Sequence, residues 1–349
     1  MTDTNSLNIT HVILSRGFAG SERSTAESCN EQCKDHQVSL IVRRDHRKKG
    51  QSIVDHVDKR VKVIEIPAHF FTGSFLKRAL LGTSPDIVHC HLRRSTRLVS
   101  RIKLDAAKLS TLHITVNGPH FAEMDGLICN AKWQLNDIPA GFKGSVLKAN
   151  NSLVPHRRLD REEISRLRHE LKISDGEFII AAVGRYSNKK GWDTLINAFV
   201  QLKQYDKARL LFFGAGSLEE KLKDLARGDP RIRFIGFRHD IKDLYQAFDL
   251  VACPSRFEPL PRVMLEAMDG GAPVIASDAG GCLELIEDYG GVSFRVDDVE
   301  DLKEKLAECL EKPRDRHRPD LSAHYIENAN QAMIDFYRQV LESLRKRVS

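Results

Sequence analysis

Two glutamates eight positions apart, Glu258 and Glu266, flank the predicted start of a helix in the second half of the chain. The strand before them ends at Pro254, and Pro261 suits the first helical turn because a backbone N–H has no helical partner there. Unpaired N–H groups and the helix dipole bind phosphate at such a terminus, and a carboxylate accepts hydrogen bonds from sugar hydroxyls. The pattern therefore favours a nucleotide-sugar site. The alternative is that Glu258 only caps the helix and Glu266 faces solvent.

A second group of candidate residues lies on a loop further upstream. In the segment VGRYSNKKGWDTLINAF, residues 183–199, Arg185 and Lys190 precede a predicted helix that opens with Gly191. A guanidinium forms forked hydrogen bonds to phosphate and an ammonium supplies a compact positive charge, so both suit a diphosphate. The alternative for such a pair is a solvated loop, and the flanking Gly184 and Gly191 argue against it.

The first half of the chain contributes a glycine-containing loop and two strand histidines. The segment SRGFAGSERST, residues 15–25, places Gly20 between a predicted strand and a predicted helix, where glycine permits close approach of a ligand to the backbone. A simple turn is the alternative. His89 and His91 lie in the strand segment DIVHCH. Histidines on a buried strand are most often structural, and we expect this of both.

These candidates lie near the ends of short β-branched runs that alternate with helical patterns. The runs are nearly continuous in apolar residues, which is typical of strands in a parallel sheet covered by helices on both faces. They lie at 9–15, 37–43, 61–66 and 86–91 in the first half and at 177–183, 209–214, 231–236, 249–254 and 273–277 in the second. The sequence therefore predicts an α/β protein with two doubly wound Rossmann-like domains. Ligands bind beyond the carboxyl ends of such strands, so we expect the two domains to face one cleft.

A polar, highly charged passage separates the two predicted sheets, and we place the hinge within residues 152–160. The predicted domains are residues 1–155 and residues 156–325. Residues 326–349 carry apolar side chains at helical spacing, which predicts a C-terminal amphipathic helix. We expect this helix to pack back toward the N-terminal domain.

Length and composition agree with this organisation. The chain has 349 residues, 41% of them apolar and 29% charged, which is typical of a folded enzyme of two domains. Its seven cysteines include no CxxC pair, which indicates reduced, buried thiols rather than disulfides or a zinc site. No signal-peptide pattern or apolar run of spanning length occurs, which predicts a cytoplasmic protein.

The basic residues are concentrated in the first half. Residues 1–150 hold 22 Lys and Arg against 14 Asp and Glu, whereas the remainder holds 32 against 34. Such a field attracts an anionic acceptor or an anionic membrane surface, and a merely solvated basic face is the alternative. We expect peripheral contact with the inner-membrane surface. The candidate clusters are Arg43-Arg44 with Arg47-Lys48-Lys49, and Arg93-Arg94 with Arg97.

Several of these segments together resemble one enzyme family. The stretch PSRFEPLPRVMLEAMDGGAPVIAS, residues 254–277, resembles the E-x7-E signature of the retaining GT-B glycosyltransferases of family 4, also called glycosyltransferase group 1. Residues 183–199 resemble the family's first donor-domain motif, and FGAGS, RFIGF and ASDAGGCLELI follow in the family's order. The likeness covers about residues 178–311. Its Glu-Pro-Leu variant resembles transferases of lipopolysaccharide and cell-surface glycan assembly.

The N-terminal half matches the family in two places. Gly20-Ser21-Glu22-Arg23 stands at the family's G-G-x-E-R position, with Ser21 in place of the second glycine. DIVHCH resembles the family's D-V-V-H-x-H strand, and the segment TLHIT places His113 at the end of the next strand, where the family has a histidine that reaches the donor sugar.

The resemblance implies a GT-B fold in which residues 1–155 bind the acceptor and residues 156–325 bind a nucleotide-diphosphate-sugar donor. Arg185 and Lys190 would hold the donor diphosphate. Glu258 would hold a sugar hydroxyl and Glu266 the ribose hydroxyls. The implied catalytic residues are Glu258, His113, Lys190 and Arg185, and the implied donor-binding residues are Arg185, Lys190, Glu258, Pro259, Leu260, Pro261, Glu266 and Gly20. The family commonly has glycines where this chain has Pro259-Leu260-Pro261, and this departure bears on the identity of the sugar.

The implied reaction is transfer of a sugar, with retention of configuration, to a glycan or lipid-linked acceptor in lipopolysaccharide or cell-surface polysaccharide synthesis. The family uses no metal ion or other cofactor, and the sequence has no Asp-x-Asp metal motif between its strands. We expect no nucleic-acid partner. Two other functions stay open: a nucleotide-sugar 2-epimerase or hydrolase, which needs its own general base, and a non-catalytic subunit that binds sugar nucleotides or glycans.

Overall fold

The computed structural model describes residues 6–48, 50–113, 115–116, 118–312 and 315–348. The chain forms two compact units, the first made of Met1–Ser152 and Ser322–Ser349, the second of Leu153–Leu321. The chain therefore leaves the first unit at Ser152, builds the second unit and returns to the first for its last helix.

The described part of the first unit is built on a parallel sheet of seven strands. These are β1 (Asn8–Ile13), β2 (Gln37–Arg43), β3 (Lys62–Ile66), β4 (Ile87–His91), β5 (Ala107–Leu112), β6 (Gly126–Cys129) and β7 (Ser145–Lys148). Their order across the sheet is β3-β2-β1-β4-β5-β6-β7, so the direction of winding reverses between β1 and β4. Residues of β1, β2 and β4 are buried almost throughout, as a sheet covered on both faces requires.

Helices from both ends of the chain cover this sheet. They are α1 (Gly20–Gln32), α2 (Thr72–Thr83), α3 (Leu92–Val99) and the C-terminal helix (Ile326–Val348). The apolar face of the C-terminal helix, formed by Ile334, Phe336, Tyr337 and Val340, packs in one core with residues of β1, β4, β5 and β6. The last helix is thus part of the first unit's core, far from the neighbouring elements in sequence.

The second unit repeats the same architecture with six parallel strands in its described residues. They are β8 (Phe178–Val183), β9 (Ala208–Phe213), β10 (Ile232–Gly236), β11 (Leu250–Cys253), β12 (Val274–Ser277) and β13 (Val292–Phe294), in the spatial order β10-β9-β8-β11-β12-β13. The helices are α4 (Arg161–Glu170), α5 (Trp192–Phe199), α6 (Glu219–Leu225), α7 (Ile241–Leu244), α8 (Arg262–Asp269), α9 (Gly281–Tyr289) and α10 (Val299–Glu311). Here the winding reverses between β8 and β11.

The predicted fold class is confirmed, because both sheets are parallel and doubly wound. Every strand predicted from an apolar run is present, with ends that differ by at most two residues: the run at 9–15, for example, is β1 at Asn8–Ile13. β6, β7 and β13 were not predicted. They have four, four and three residues, too few to stand out as apolar runs.

The prediction that the cysteines are buried is confirmed for all seven, each of which is a free thiol in this structure. None of the helices in the described residues is long and apolar enough to cross a membrane.

Candidate functional site

The sheet of the second unit brings the predicted donor residues to one edge. β8 and β11 are neighbours, and the strands on either side wind in opposite directions. The loops that follow two such strands diverge and leave a crevice at the carboxyl edge, where ligands of doubly wound sheets bind. Residues 184–191 follow β8 and residues 254–261 follow β11. Arg185, Lys190 and Glu258 therefore lie on the two loops that border this crevice.

Glycines allow these loops to approach each other closely. Gly191 has a φ of 64°, and a Cβ there would lie 1.9 Å from the carbonyl oxygen of Pro254. A Cβ at Gly214, after β9, would lie 2.1 Å from the carbonyl oxygen of Gly184. Both distances are far inside van der Waals contact, so a side chain at either position would push the loops apart.

Arg256 ties the two loops together through its main chain and side chain. Its backbone N–H donates to the carbonyl of Lys189 at 2.8 Å, and its guanidinium donates to the carbonyl of Asn188 at 2.6 Å. The same guanidinium pairs with Asp193 of α5 at 2.9 Å and with Asp297 at 2.7 Å. Sequence reasoning missed Arg256, although it stands two positions before Glu258.

Lys190 and Glu258 form an ion pair across the crevice edge, with Lys190 Nζ donating to Glu258 Oε1. The side chains are 21% and 16% exposed, so the pair is shielded but reachable from solvent. Burial lowers the pKa of Lys190, but the charge of Glu258 and their hydrogen bond outweigh burial, and the pKa is raised. The site therefore presents a fixed ammonium beside a fixed carboxylate, which suits a ligand with both phosphates and hydroxyls.

The residues after Glu258 are held by α9. The first N–H of that helix, from Gly281, donates to the carbonyl of Glu258 at 3.1 Å, and a Cβ at Gly281 would lie 1.9 Å from the carbonyl oxygen of Pro259. Leu260 is 4% exposed, and Pro261 is the buried residue before the first turn of α8. Leu260 and Pro261 thus hold the Pro-Leu-Pro segment by packing into the interior, whereas Pro259 is half-buried.

Glu266 lies inside α8 and is 4% exposed, so the alternative that it faces solvent is wrong. The hydroxyl of Tyr245 donates to Glu266 Oε2 at 3.2 Å. Asp269, the last residue of α8, accepts from both the backbone N–H of His156 at 2.6 Å and its Nδ1 at 2.5 Å. This contact anchors the end of α8 to the segment that enters the second unit. It was not predicted, because His156 and Asp269 are 113 residues apart.

Arg185 is exposed on the loop after β8. Its carbonyl accepts a 3.0 Å hydrogen bond from the indole of Trp192, which is 2% exposed in the core. The backbone of the loop that carries Arg185 is therefore held from the core by Trp192, while the Arg185 side chain is exposed.

Gly20 and His113 belong to the first unit. Gly20 is the first residue of α1, and a Cβ there would meet nothing within 4 Å, so the space beside it is open. Glu22, which is 4% exposed, folds back to accept from the backbone N–H of Ala19 at 3.0 Å and from the hydroxyl of Ser21 at 3.1 Å. Glu22 thereby shapes the loop that leads into α1, a role not predicted from the sequence.

His113 is the first residue after β5 and is half-buried. Burial lowers its pKa to about 4, and the charge of Glu22 opposes this effect in part. His113 is therefore neutral at physiological pH and can both accept and donate a hydrogen bond. His89 and His91, on β4, are buried and hydrogen-bonded to other side chains, as expected for structural histidines.

The family model of glycosyl transferases group 1 matches residues 163–331. The matched segment contains Arg185, Lys190, Glu258 and Glu266. The resemblance predicted from the sequence is therefore confirmed for this part of the chain.

Curated relatives of this chain are also named as glycosyltransferases. An uncharacterized glycosyltransferase of Methanocaldococcus jannaschii is 35% identical over 37% of this chain and 34% of its own length. The lipopolysaccharide core biosynthesis glycosyltransferase LpsE of Rhizobium meliloti is 24% identical over 74% of this chain and 76% of its own length. The chain thus spans about a third of the Methanocaldococcus relative in the match.

Solved structures share the fold over nearly the whole chain. A glycosyltransferase from Rickettsia africae is similar with a TM-score of 0.76 at 20% identity, covering 98% of this chain and 97% of its own. The Anabaena protein Alr3699/HepE, solved with UDP-glucose, is similar with a TM-score of 0.72 at 21% identity, covering 97% of this chain and 99% of its own. The predicted GT-B architecture is confirmed by these similarities.

Proposed function

We propose that this protein is a retaining, metal-independent glycosyltransferase that moves a sugar from a nucleotide-diphosphate-sugar to a glycan or lipid-linked acceptor. The observation that carries the proposal is the Lys190–Glu258 pair at the carboxyl edge of β8 and β11, within the segment that matches the group 1 family. An ammonium and a carboxylate held side by side by glycine-packed loops suit the two chemical parts of such a donor. The second unit would bind this donor and the first unit the acceptor.

The main barrier of this reaction is charge separation between an oxocarbenium-like sugar and a departing diphosphate. Stabilising the diphosphate is therefore the largest catalytic task. We assign this task to Lys190, Arg185 and the N-terminus of α8. The raised pKa of Lys190 keeps it cationic throughout the neutral range. Glu258 would hold a sugar hydroxyl, Glu266 the ribose hydroxyls and His113 a hydroxyl near the reacting carbon, with Gly20 leaving room at the loop before α1.

The names of the relatives suggest a pathway and a donor class. The Rhizobium relative acts in lipopolysaccharide core synthesis, and the Anabaena structure contains UDP-glucose. We therefore propose a role in lipopolysaccharide or cell-surface polysaccharide synthesis, in the cytoplasm or peripherally on the inner membrane.

A thermal-shift screen against UDP, GDP, ADP, CMP and their sugar conjugates, with EDTA present, tests the proposal. A ligand that binds only the folded state stabilises it by about 2.7 kcal/mol at 100 times its Kd, which raises Tm by several degrees. We expect one nucleotide family to produce this shift despite EDTA. If no nucleotide shifts Tm, the reading as a non-catalytic glycan-binding subunit is favoured instead.

Lys190→Ala and Lys189→Ala form a matched pair for the same screen, because both remove one lysine from the same short turn. Lys189 is exposed and faces the ring of Phe257, whereas Lys190 pairs with Glu258. We expect Lys190→Ala to remove the shift and to lower sugar transfer by on the order of 100- to 1,000-fold, the loss typical of a transition-state donor. Equal effects of the two substitutions would contradict the assignment of Lys190.

The basic N-terminal clusters support membrane contact less than their composition suggested. Arg43 pairs with Asp45 through two hydrogen bonds, and Arg47 pairs with Asp55 through two more. The proposed contact with an anionic membrane would therefore rest on the other cations of the two clusters, of which Arg44, Lys48, Arg93 and Arg97 are exposed. Lys49 lies outside the described residues.

A further inference from the structure

Three buried histidines of the first unit, His11, His89 and His91, bring ring nitrogens within 4.8 Å of one another, a spacing that a metal ion could bridge. All six of these nitrogens, however, already face a hydrogen-bond partner. His89 contacts the hydroxyls of Tyr337 and Thr111, each at 2.6 Å. His11 and His91 use their nitrogens in one continuous chain of side chains. The geometry therefore favours a hydrogen-bonded chain over a metal centre, because a metal ligand needs a free lone pair.

This hydrogen-bonded chain of side chains connects the C-terminal helix to His113. Its links are Asn330 to Gln32 at 3.2 Å, Gln32 to His11 at 2.9 Å, His11 to His91 at 2.9 Å and His91 to His113 at 3.1 Å. The first four members are at most 5% exposed, and His113, at the other end, is half-buried.

A single backbone carbonyl fixes the direction of the first two bonds, from Asn330 to Gln32 and from Gln32 to His11. The carbonyl of Ile326 only accepts, so the nitrogen of the Asn330 side chain must donate to it, at 2.9 Å. The oxygen of Asn330 then accepts from the nitrogen of Gln32, and the oxygen of Gln32 faces His11. Because an amide oxygen cannot donate, Nε2 of His11 carries the proton.

The remaining tautomers are then fixed in turn. Burial lowers the pKa of His11 to about 4 and keeps it neutral, so its Nδ1 has no proton and accepts from Nε2 of His91. The pKa of His91 is likewise lowered by burial, so Nδ1 of His91 accepts from Nε2 of His113. A neutral His113 that donates from Nε2 has a bare Nδ1.

We propose that this chain is a tautomer lock: Asn330, Gln32, His11 and His91 are positioning residues that hold His113 with its proton on Nε2 and its Nδ1 lone pair free for a substrate hydroxyl. The proposal rests on the proposed function for the role of that hydroxyl. The hydrogen-bonded chain ends at the neutral side-chain amide of Asn330, which cannot take up a proton. The hydrogen-bonded chain therefore orients His113 and does not carry protons away from it. Glu22 is the charged group that acts on His113 from α1.

Imidazole 15N NMR of the full chain, with 15N-labelled histidine, reads the tautomer directly and needs no substrate. The His113→Gln spectrum identifies the His113 signals. We expect His113 to carry its proton on Nε2 and a bare Nδ1 in the wild type. His11→Phe keeps a ring in place without nitrogens, and Gln32→Leu removes the amide; in both we expect a mixture of His113 tautomers. A proton on Nδ1 in the wild type would overturn the proposal.

His89→Phe is the matched control, because His89 lies on the same strand as His91 and is 1% exposed but is not a member of the chain. We expect it to leave the His113 tautomer unchanged. Partners that orient a metal-bound imidazole change activity by on the order of 10- to 100-fold, and we take the lower end of that range for the orientation of His113. We therefore expect kcat to fall about tenfold in His11→Phe and Gln32→Leu, with little change in KM for the donor.

The outcomes separate the lock from the function on which it rests. A wild-type tautomer retained in both folded variants overturns the lock, and a mixed tautomer with unchanged kcat overturns its positioning role. If no donor is turned over by the wild type while His113 shows the expected tautomer, the proposed transferase function fails and the lock stands. If His11→Phe does not fold, Gln32→Leu gives the same test from the other end of the chain.

Discussion

At the scale of single residues, the loops of the donor site depend on positions that have no room for a side chain. Gly191 combines a φ of 64° with a would-be Cβ contact of 1.9 Å to a main-chain oxygen. Gly228, in the same unit, has a φ of 69° with nothing within 4 Å of its would-be Cβ. The two glycines share a left-handed φ and differ in the space beside them, so alanine at each separates backbone strain from steric displacement.

We expect Gly228→Ala to lower the free energy of unfolding by about 1 kcal/mol, the cost of a left-handed alanine. Gly191→Ala should cost about 1–3 kcal/mol more, because the loops after β8 and β11 must move apart, and it should also weaken nucleotide binding. Urea denaturation of both variants in a Trp133→Phe background, followed by the fluorescence of Trp192, which is 2% exposed beside this loop, measures the two losses. Equal losses in the two variants would show that the loops yield without cost.

The sequence could predict Lys190 and Glu258 because each lies within a recognisable local segment. It could not predict that they pair, since they are 68 residues apart and only the β8–β11 contact brings their loops together. The Gln32–Asn330 link spans 298 residues and depends on the return of the C-terminal helix. Local patterns predict which side chains carry chemistry, whereas tertiary structure decides what orients them.

At the scale of elements, long apolar runs were sufficient to predict most strands. The short strands β6, β7 and β13 have no such signal, and their place is set by the neighbours with which they pair. The apolar face of the C-terminal helix was predicted from its spacing. Which sheet residues it covers depends on the whole first unit, because β1, β4, β5 and β6 all contribute to that core.

Helix α2 and the residues just before it carry apolar side chains both in the core and on the surface. Leu76 and Leu80 are fully buried, whereas Phe70, Phe71 and Phe75 are 83%, 76% and 44% exposed. Lys77 and Arg78 are exposed on the same helix. Exposed aromatic rings beside cations are typical of a surface that enters the headgroup layer of an anionic membrane.

We therefore expect the protein to float with phosphatidylglycerol vesicles at low salt. Phe70→Ser combined with Phe71→Ser should reduce binding about thirtyfold, since each of the two inserted rings contributes on the order of 1 kcal/mol. Phe237→Ser is the control, because Phe237 is 68% exposed in the second unit. Vesicle flotation measures all three proteins. If the wild type does not bind these vesicles at low salt, membrane contact through α2 and the residues before it is contradicted.

At the scale of the whole molecule, the two units differ in how they carry histidine. The histidines of the described chain with a lowered pKa all lie in the first unit: His11, His36, His89, His91, His113 and His120. Burial is the largest cause in each case. These histidines are neutral in the folded unit. Below about pH 6.5 they take up protons when the unit unfolds.

This difference predicts that acid weakens the first unit before the second. Between pH 6.5 and about 4 the unfolded first unit binds more protons than the folded one, so its free energy of unfolding falls as pH falls. With a pKa of about 4 in the fold and 6.5 unfolded, His11 alone accounts for a loss of about 2 kcal/mol between pH 7.5 and pH 5.

The two tryptophans allow the units to be followed separately, since Trp133 lies in the first and Trp192 in the second. We expect urea transitions of Trp192→Phe, reported by Trp133, to shift to lower urea at pH 5, and those of Trp133→Phe to shift much less. Adding His89→Gln, which replaces a titrating ring by a neutral amide, should reduce the pH dependence of the first transition. Equal acid shifts for both reporters would contradict the prediction, because the buried histidines would then not control the stability of their own unit.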